Sequence, residues 1–206
     1  MISTLPQSFY ARPTRVVAEA LIGTVLAHEI GGVRTSGRIV EVEAYIGEDD
    51  PACHAAAGPT RRNAPLYGPP GFAYVYFNYG VHWLVNAVTE GDGCPAAVLI
   101  RALEPIEGIE VMRARRARTK AGAEVPYAGA DADLCRGPGN LTRALGITGA
   151  QNLAPLFEGS LRIEPAPRGA PRWPVAWSPR IGIRVGLEPH WRAYVPGHAS
   201  VSARPR

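Results

Sequence analysis

The segment IVEVEAYI, residues 39–46, limits the fold of this chain more than any other. Successive side chains of a β-strand point to opposite faces, so a strand here would separate two kinds of residue. One face would pack on a core and carry Val40, Val42, Ala44 and Ile46. The opposite face would carry Ile39, Glu41, Glu43 and Tyr45. Two carboxylates beside a phenol ring, in a chain of formal net charge +4, indicate a functional face.

The remaining patterns surround this strand with further strands and a few helices. Strands are predicted at 24–30, 38–46 and 98–103, a hairpin at 71–88, and helices at 14–26, 105–120 and 137–147. Strands outnumber helices and do not alternate with them, which favours an α+β fold with a mainly antiparallel sheet. With 206 residues, 46% of them hydrophobic, the chain is expected to form a single domain, residues 1–206.

Several classes of protein are disfavoured by composition. No apolar run reaches the length of about 18 residues that a membrane span needs, and the first residues lack the pattern of an export signal. Cys53, Cys94 and Cys135 are odd in number and contain no C-x-x-C pair, which is typical of reduced thiols rather than a disulfide framework or a zinc site. The sequence therefore predicts a cytoplasmic protein that binds neither membrane nor metal.

The predicted hairpin places an aromatic residue at its turn. Gly80 supplies the positive φ that a tight turn favours, but Tyr79 beside it is too large and apolar for an ordinary turn. The ring could fold back onto the sheet. Alternatively, it could act as a wedge, because proteins that bind the DNA minor groove insert bulky side chains between base pairs.

Three more polar residues stand where a structural role alone is hard to justify. Asn86 lies mid-strand among apolar neighbours, so its amide is either satisfied by the backbone or reads the edge of a ligand. His54 follows Tyr45 by nine residues and is either structural or part of the same site. Arg101 interrupts the apolar strand VLIRAL, so its charge must be paired or directed at an anion.

Taken in order, these blocks resemble a known family. EVEAYIGEDDPACH is followed by RRN at 61–63, PGFAYVYFNYG at 70–80, NAV at 86–88, GDG at 91–93, IRALEP at 100–105 and LCRGPGNL at 134–141. This series is similar to the alkyladenine (3-methyladenine) DNA glycosylases, of the type found in mammals and also in bacteria. The resemblance implies a compact single domain, with a curved antiparallel sheet, flanking helices and a protruding hairpin that intercalates into DNA.

The resemblance also implies a role for each matching residue. Glu43 corresponds to the general base that activates water. The residues implied to bind the flipped base are Tyr45, Ala52, His54, Tyr76 and Asn86. Those implied to contact DNA are Tyr79, Arg101, Arg62 and Asn63. The implied partner is duplex DNA containing alkylated or deaminated purines, approached from the minor groove by a monomer that needs no cofactor or metal and acts at the bacterial nucleoid.

This chemistry would explain acidic residues at the centre of a basic protein. Cleavage of an N-glycosidic bond passes through an oxocarbenium-like sugar, which a carboxylate stabilises while it accepts a proton from the attacking water. Bifunctional glycosylases instead use an amine to form a Schiff base. Lys120 is the only lysine among 22 basic residues and is distant in sequence from the site, so a monofunctional enzyme without lyase activity is predicted.

Two other interpretations remain open at this stage. A non-catalytic module that bends DNA would use Tyr79 and the arginines but would not need Glu43. An RNA-binding or formyltransferase-associated domain would share the fold without needing the set of Glu43, Tyr45, His54 and Asn86 together. The role of Glu41, whether catalytic or in support of an arginine, is also left undecided by the sequence.

Overall fold

A long central strand organises the architecture. The computed structural model describes residues 3–120 and 123–202, without the side chains of 118–120 and 124. Its strands are β1 Val25–Ile30, β2 Val33–Ile46, β3 Ala73–Asn78, β4 His82–Val88, β5 Ala96–Glu107, β6 Arg118–Lys120, β7 Ala123–Val125, β8 Leu161–Glu164, β9 Ala176–Ser178 and β10 Arg192–Tyr194. Its α-helices are α1 Gln7–Tyr10, α2 Thr14–Leu21, α3 Ile109–Arg116 and α4 Pro138–Leu145.

Eight of these strands form one antiparallel sheet in the order β3-β4-β5-β2-β1-β8, and β10 joins β2 and β9. One edge of β2 pairs with β5, whereas its other edge is shared between β1 up to Arg38 and β10 at 41–43. Irregularities in the β2–β5 pairing occur between Ile39 and Val42. Such bulges bend and twist strands, and the sheet curls accordingly. The predicted α+β fold with a curved, mainly antiparallel sheet is confirmed.

The same bulge corrects the predicted faces of β2. Ile39 lies in the main hydrophobic core with Val42 and Ala44, whereas Val40 packs in a separate small cluster with Ala102 and Val195. Ile39 pairs with Leu103 and Glu41 with Ala102, so Val40 is the additional residue of β2. One additional residue reverses the alternation. The predicted alternation of faces is therefore correct after the bulge, for Glu43 and Tyr45. It is wrong before the bulge, for Ile39 and Val40.

Two predicted helices are shorter than expected. The helix predicted at 14–26 ends at Leu21, where Ile22 is already extended. The helix predicted at 105–120 begins only at Ile109, because β5 continues to Glu107 in pairing with the first half of β2. Gly108 separates the two elements with a φ of 74°, and a Cβ there would lie 2.6 Å from the backbone oxygen of Arg34.

The core lies on one face of the sheet, under α2 and α4, and a second cluster supports the site. This second cluster contains Cys53, Ala55, Leu66, Tyr74, Val88 and Ala97. Tyr45 and Tyr76 pack against it. It therefore joins the loop after β2 to the β3–β4 hairpin and holds two predicted site residues on a common base. None of the helices described here is long and apolar enough to cross a membrane.

Candidate active site

A pocket of about 480 Å³ opens between the end of β2, the β3–β4 hairpin and the segment 181–185. Its volume is in the range of sites that enclose a small organic ligand. Among the residues that line it are Tyr45, Ala52, His54, Tyr74, Tyr76, Tyr79, Asn86, Arg101, Ile181 and Val185. The fold thus brings seven of the ten predicted site residues to one cavity: Tyr45, Ala52, His54, Tyr76, Tyr79, Asn86 and Arg101.

Glu43 lies directly beneath this pocket and has no exposed surface. Its Oε2 accepts hydrogen bonds from the Tyr45 hydroxyl at 2.9 Å and from Nη1 of Arg101 at 3.1 Å. Its Oε1 accepts a hydrogen bond of 2.7 Å from the backbone N–H of Ile181. All three donors belong to residues that line the pocket. A carboxylate offers about four acceptor positions, so the described residues leave one position on Oε1 for a further donor.

Tyr45 is fixed from two directions. Its hydroxyl donates to Glu43, and the guanidinium of Arg180 lies 4.6 Å from the centre of its ring. Burial and the neighbouring Glu43 carboxylate raise the pKa of Tyr45 well above its ordinary value. The hydroxyl therefore stays protonated at neutral pH and remains a hydrogen-bond donor to the carboxylate.

Arg101 is paired rather than free, which settles one of the alternatives left by the sequence. Its Nε donates to Glu41 Oε1 at 2.9 Å and its Nη1 to Glu43 Oε2. Burial alone would raise the pKa of Glu41, but the attraction of Arg101 and Arg192 outweighs burial and holds that pKa below its ordinary value. Both glutamates are thus tied to the same guanidinium at the floor of the pocket.

The aromatic residues of the pocket contact one another on the hairpin side. The rings of His54 and Tyr76 meet edge to face with centroids 4.5 Å apart, and Tyr74 and Tyr76 are 5.1 Å apart. Nδ1 of His54 lies 2.9 Å from the hydroxyl of Tyr74. Burial of the ring, together with the nearby Arg62, lowers the pKa of His54. His54 is therefore neutral at pH 7 and lies on the same side of the pocket as Tyr76.

Asn86 combines the two roles considered for it. Its Nδ2 donates to the backbone oxygen of Tyr74 at 2.9 Å, across the β3–β4 pair. This bond fixes which end of the amide is nitrogen, since a carbonyl can only accept. Asn86 is 4% exposed and lines the pocket. The amide is thus held by the backbone and also lies where a ligand edge would come.

Tyr79 projects from the hairpin tip with 87% of its surface exposed. The ring therefore does not fold back onto the sheet. Its φ of 49° lies in the left-handed region, which is costly for a bulky residue and is found mostly where function requires it. Arg62 lies beside the hairpin, where its Nη2 donates to the backbone oxygen of Phe77 at 3.1 Å.

Asn63 has a different environment from the one predicted. The residue is 2% exposed, and its Nδ2 donates to the backbone oxygens of His54 and Gly58 at 2.8 and 2.9 Å. Its Oδ1 accepts from the backbone N–H of Thr60. The described hydrogen bonds of this side chain are all made within its own loop. Asn63 therefore holds the loop that carries His54.

The sequence did not identify the contribution of the segment after β9. Arg180 forms a buried ion pair with Asp50 at 2.6 Å and donates to the backbone oxygen of Ala44. The next residue, Ile181, supplies the N–H bound to Glu43. An arginine in the stretch SPRIGI gives no local signal of this role, because Ala44 and Asp50 lie more than 120 positions earlier in the chain.

The cysteines form no disulfide with one another, and Cys53 is among the residues that line the pocket. Cys53 and Cys135 are buried, Cys94 is exposed, and all three are free. The described part of the chain contains no cluster of three or more His, Cys, Asp or Glu side chains that could hold a metal ion. The side chain of Lys120 lies outside the described residues.

Comparison with known proteins agrees with this geometry. The model of a family described as methylpurine-DNA glycosylase matches residues 8–199. A protein of Burkholderia lata is 47% identical over 203 residues, covering 97% of this chain and 91% of its own length. A protein of Chlorobaculum tepidum is 44% identical over 96% of this chain and 90% of its own length. Both are provisionally named 3-methyladenine DNA glycosylase. The chain therefore belongs to the methylpurine-DNA glycosylase family, and it is a DNA glycosylase.

Proposed function

We propose that this enzyme extrudes an alkylated or deaminated purine from duplex DNA and hydrolyses its N-glycosidic bond with a water molecule activated by Glu43. The observation that carries the proposal is the position of the Glu43 carboxylate, directly beneath an aromatic pocket, with three acceptor positions filled and one left on Oε1. The relatives named for 3-methyladenine support an alkylated purine as the substrate.

The extruded base would stack between Tyr45 and the pair formed by His54 and Tyr76. The described ring contacts join His54 to Tyr76 but do not include Tyr45, and Arg180 covers one face of the Tyr45 ring. The ring of Tyr45 also lines the pocket, where it would meet the base. Enzymes that flip bases hold them by stacking and by hydrogen bonds to the base edge. Neutral His54 and the amide of Asn86 would supply those hydrogen bonds, and Ala52 would contact the base from the loop.

In the chemical step, the water oxygen attacks the anomeric carbon while the bond to the purine nitrogen breaks. The bonding electrons leave with the base, and the proton of the water passes to Glu43. The negative carboxylate would also stabilise the positive charge that develops on the sugar. Glu43 has no exposed surface, so the attacking water would reach Oε1 from the pocket side, next to the N–H of Ile181.

The hairpin would hold the DNA open during this step. Exposed Tyr79 would fill the space left by the extruded nucleotide from the minor-groove side, as wedge residues do in other proteins that bend DNA. Arg62, exposed beside the hairpin, would contact a phosphate. Arg101 faces the pocket but is bound to two carboxylates, so its contact with the nucleotide would use only its remaining N–H groups. We further propose that the enzyme acts as a monomer at the nucleoid.

Single-turnover base release tests the proposal. The enzyme is mixed in excess with duplexes that carry one 3-methyladenine, 7-methylguanine, hypoxanthine or ethenoadenine, and free base and strand nicking are measured separately. Release of at least one of these bases without nicking is expected, because water and not an amine is the nucleophile. Nicking without alkali treatment would contradict the water mechanism.

The same experiment decides the alternative, a non-catalytic module that bends or binds damaged DNA. Such a module would bind the damaged duplexes and release none of the four bases. The contact of Glu43 with Arg101 beneath the pocket supports an enzyme, because a module that only binds DNA has no need of a carboxylate at that place.

A further inference from the structure

We propose that Glu41 is a positioning residue. It holds the Nε side of the Arg101 guanidinium and thereby keeps Glu43 available as a base. This inference rests on the proposed function of Glu43 and assigns the second carboxylate of β2. Glu41 has no exposed surface and lies two residues before Glu43 on β2. It shares Arg101 with Glu43, although the two carboxylates contact different nitrogens of that guanidinium.

The hydrogen bonds of Glu41 join it to two arginines and to Ser202. Its Oε1 accepts from Nε of Arg101 at 2.9 Å, Nε of Arg192 at 2.7 Å and the Ser202 hydroxyl at 2.7 Å. Its Oε2 accepts from the backbone N–H of Ser202 at 2.7 Å. Two of its three partner residues, Arg192 and Ser202, do not line the pocket, whereas all three donors to Glu43 do. Glu41 is therefore bound on the side away from the pocket, in support of the arginines, and Glu43 is the carboxylate next to the ligand space.

The orientation of Arg101 depends on the Glu41 carboxylate. Because Nε is bound to Glu41, only Nη1 reaches Glu43, and it reaches Oε2 alone. A guanidinium that is not held in this way tends to bind a carboxylate with two parallel hydrogen bonds. If Glu41 lost its charge, Arg101 would be free to turn and bind both oxygens of Glu43. The position on Oε1 that the attacking water needs would then be occupied.

Charge balance leads to the same conclusion. Glu41, Glu43, Arg101 and Arg192 together form a buried cluster with two charges of each sign. The charged and titratable groups that face Glu43 are Arg101 on β5, Arg192 opposite it on β10, Arg180 in the segment after β9, Tyr45 on β2 and Tyr76 on β3. Arg180 is neutralised by Asp50, and both tyrosines stay protonated. Removing the charge of Glu41 would leave an excess of positive charge next to Glu43, and the two arginines would then hold the Glu43 carboxylate more strongly and weaken it as a base.

Glu41→Gln and Glu41→Asp, measured against the native enzyme, test this role. Single-turnover base release is followed from about pH 5 to about pH 9, and binding to the damaged duplex is measured in parallel. For Glu41→Gln we expect the maximal rate to fall by about 10- to 100-fold and the acid limb of the profile to move down by about one pH unit. Glu41→Asp keeps the charge, so its acid limb should stay in the native position. Binding should change less than about twofold in both variants, because neither substitution removes a DNA contact.

A purely structural role would lower the rate of both variants without moving either acid limb, and that result would overturn the inference. So would a native rate in Glu41→Gln. If Glu41→Gln does not fold, Ser202→Ala removes one donor from Oε1 at the edge of the cluster, and a loss of rate of about threefold is expected. An unchanged rate in Ser202→Ala would then reject the role. Failure of the proposed function is recognised by a different variant: it would be shown by base release from Glu43→Gln.

Discussion

The hydroxyl of Tyr45 donates a hydrogen bond of 2.9 Å to Oε2 of Glu43, two residues earlier on the same strand. The residue proposed to stack on the base is therefore also one of the residues that orient the proposed general base. The two side chains share a face of β2 because a strand repeats every two residues. This relationship links base binding and water activation through a single side chain.

Replacement of Tyr45 by Phe separates these two tasks. The ring that stacks on the base is kept, so binding of the damaged duplex should change less than about twofold. The carboxylate loses a hydrogen bond of a kind worth about 1.5–3 kcal/mol, so base release should slow by about 10- to 100-fold. Tyr45→Leu is the matched control, because it should also weaken binding. Equal rates for native enzyme and Tyr45→Phe in single-turnover assays would contradict the proposed orientation of Glu43.

Substitution of Tyr79 should affect function and stability in opposite directions. Tyr79→Gly removes the exposed ring and places glycine at a φ of 49°, so the free energy of unfolding should stay the same or rise by about 1 kcal/mol. Base release from duplex DNA should fall by at least about tenfold, because the wedge is lost. Tyr79→Phe should retain most of the activity. A fall in stability without a loss of activity would show that the ring is structural.

The ion pair of Arg180 and Asp50 should be important for stability as well as for the site. Both side chains are buried, and the shorter contact is 2.6 Å. Asp50→Asn leaves Arg180 buried without its countercharge, so the free energy of unfolding should fall by about 3–5 kcal/mol. The control is Glu107→Gln, which breaks a pair with Arg34 whose glutamate side chain is 51% exposed. That control should cost less than about 1 kcal/mol in urea titrations. Similar losses in both variants would show that burial of the Arg180 pair is unimportant.

His28 should make the stability of the protein depend on pH. It is 1% exposed, and its Nδ1 lies 2.9 Å from the backbone oxygen of Leu145. Burial lowers its pKa, against a smaller opposing contribution from that hydrogen bond. The unfolded chain therefore binds a proton at His28 more readily than the folded protein does. The contribution to stability is present above the ordinary pKa of about 6.5 and is lost as the pH falls below it.

His28→Gln isolates this contribution. Glutamine can still donate to Leu145 but does not titrate, so the free energy of unfolding should decline less steeply between about pH 6.5 and about pH 5 than in the native protein. His54 has a lowered pKa as well and contributes with the same sign. Urea titrations at several pH values measure both slopes. A native slope in His28→Gln would show that its protonation is not linked to folding.

The parts of the site that were predictable from the sequence depend on local periodicity. Glu43 and Tyr45 share a face because no irregularity separates them, and Tyr74, Tyr76 and Asn86 reach the pocket because the hairpin register follows from its short turn. Ile39 and Val40 were predicted on the wrong faces, since a bulge is set by pairing with β5 rather than by the residues of β2. The extension of β5 to Glu107 was also missed, because it depends on pairing with the first half of β2 and not on the residues of β5.

Contacts distant in sequence could not be predicted from any local pattern. The N–H of Ile181 binds Glu43, and Ser202 binds Glu41, across 138 and 161 positions respectively. The sequence indicated only that buried charges such as Arg101 must be paired. Which carboxylate accepts which nitrogen depends on the curled sheet, because β10 and the segment after β9 pack on the second half of β2.

The most direct test of the account is single-turnover base release by Glu43→Gln on a duplex containing the lesion that the native enzyme releases fastest. Binding is measured on the same samples, and thermal unfolding shows whether the variant is folded. We predict native-like binding and a release rate lower by at least about a hundredfold, because general-base catalysis contributes about 10²- to 10⁴-fold. A folded Glu43→Gln variant that releases base at a rate within tenfold of the native enzyme would contradict the assignment of Glu43.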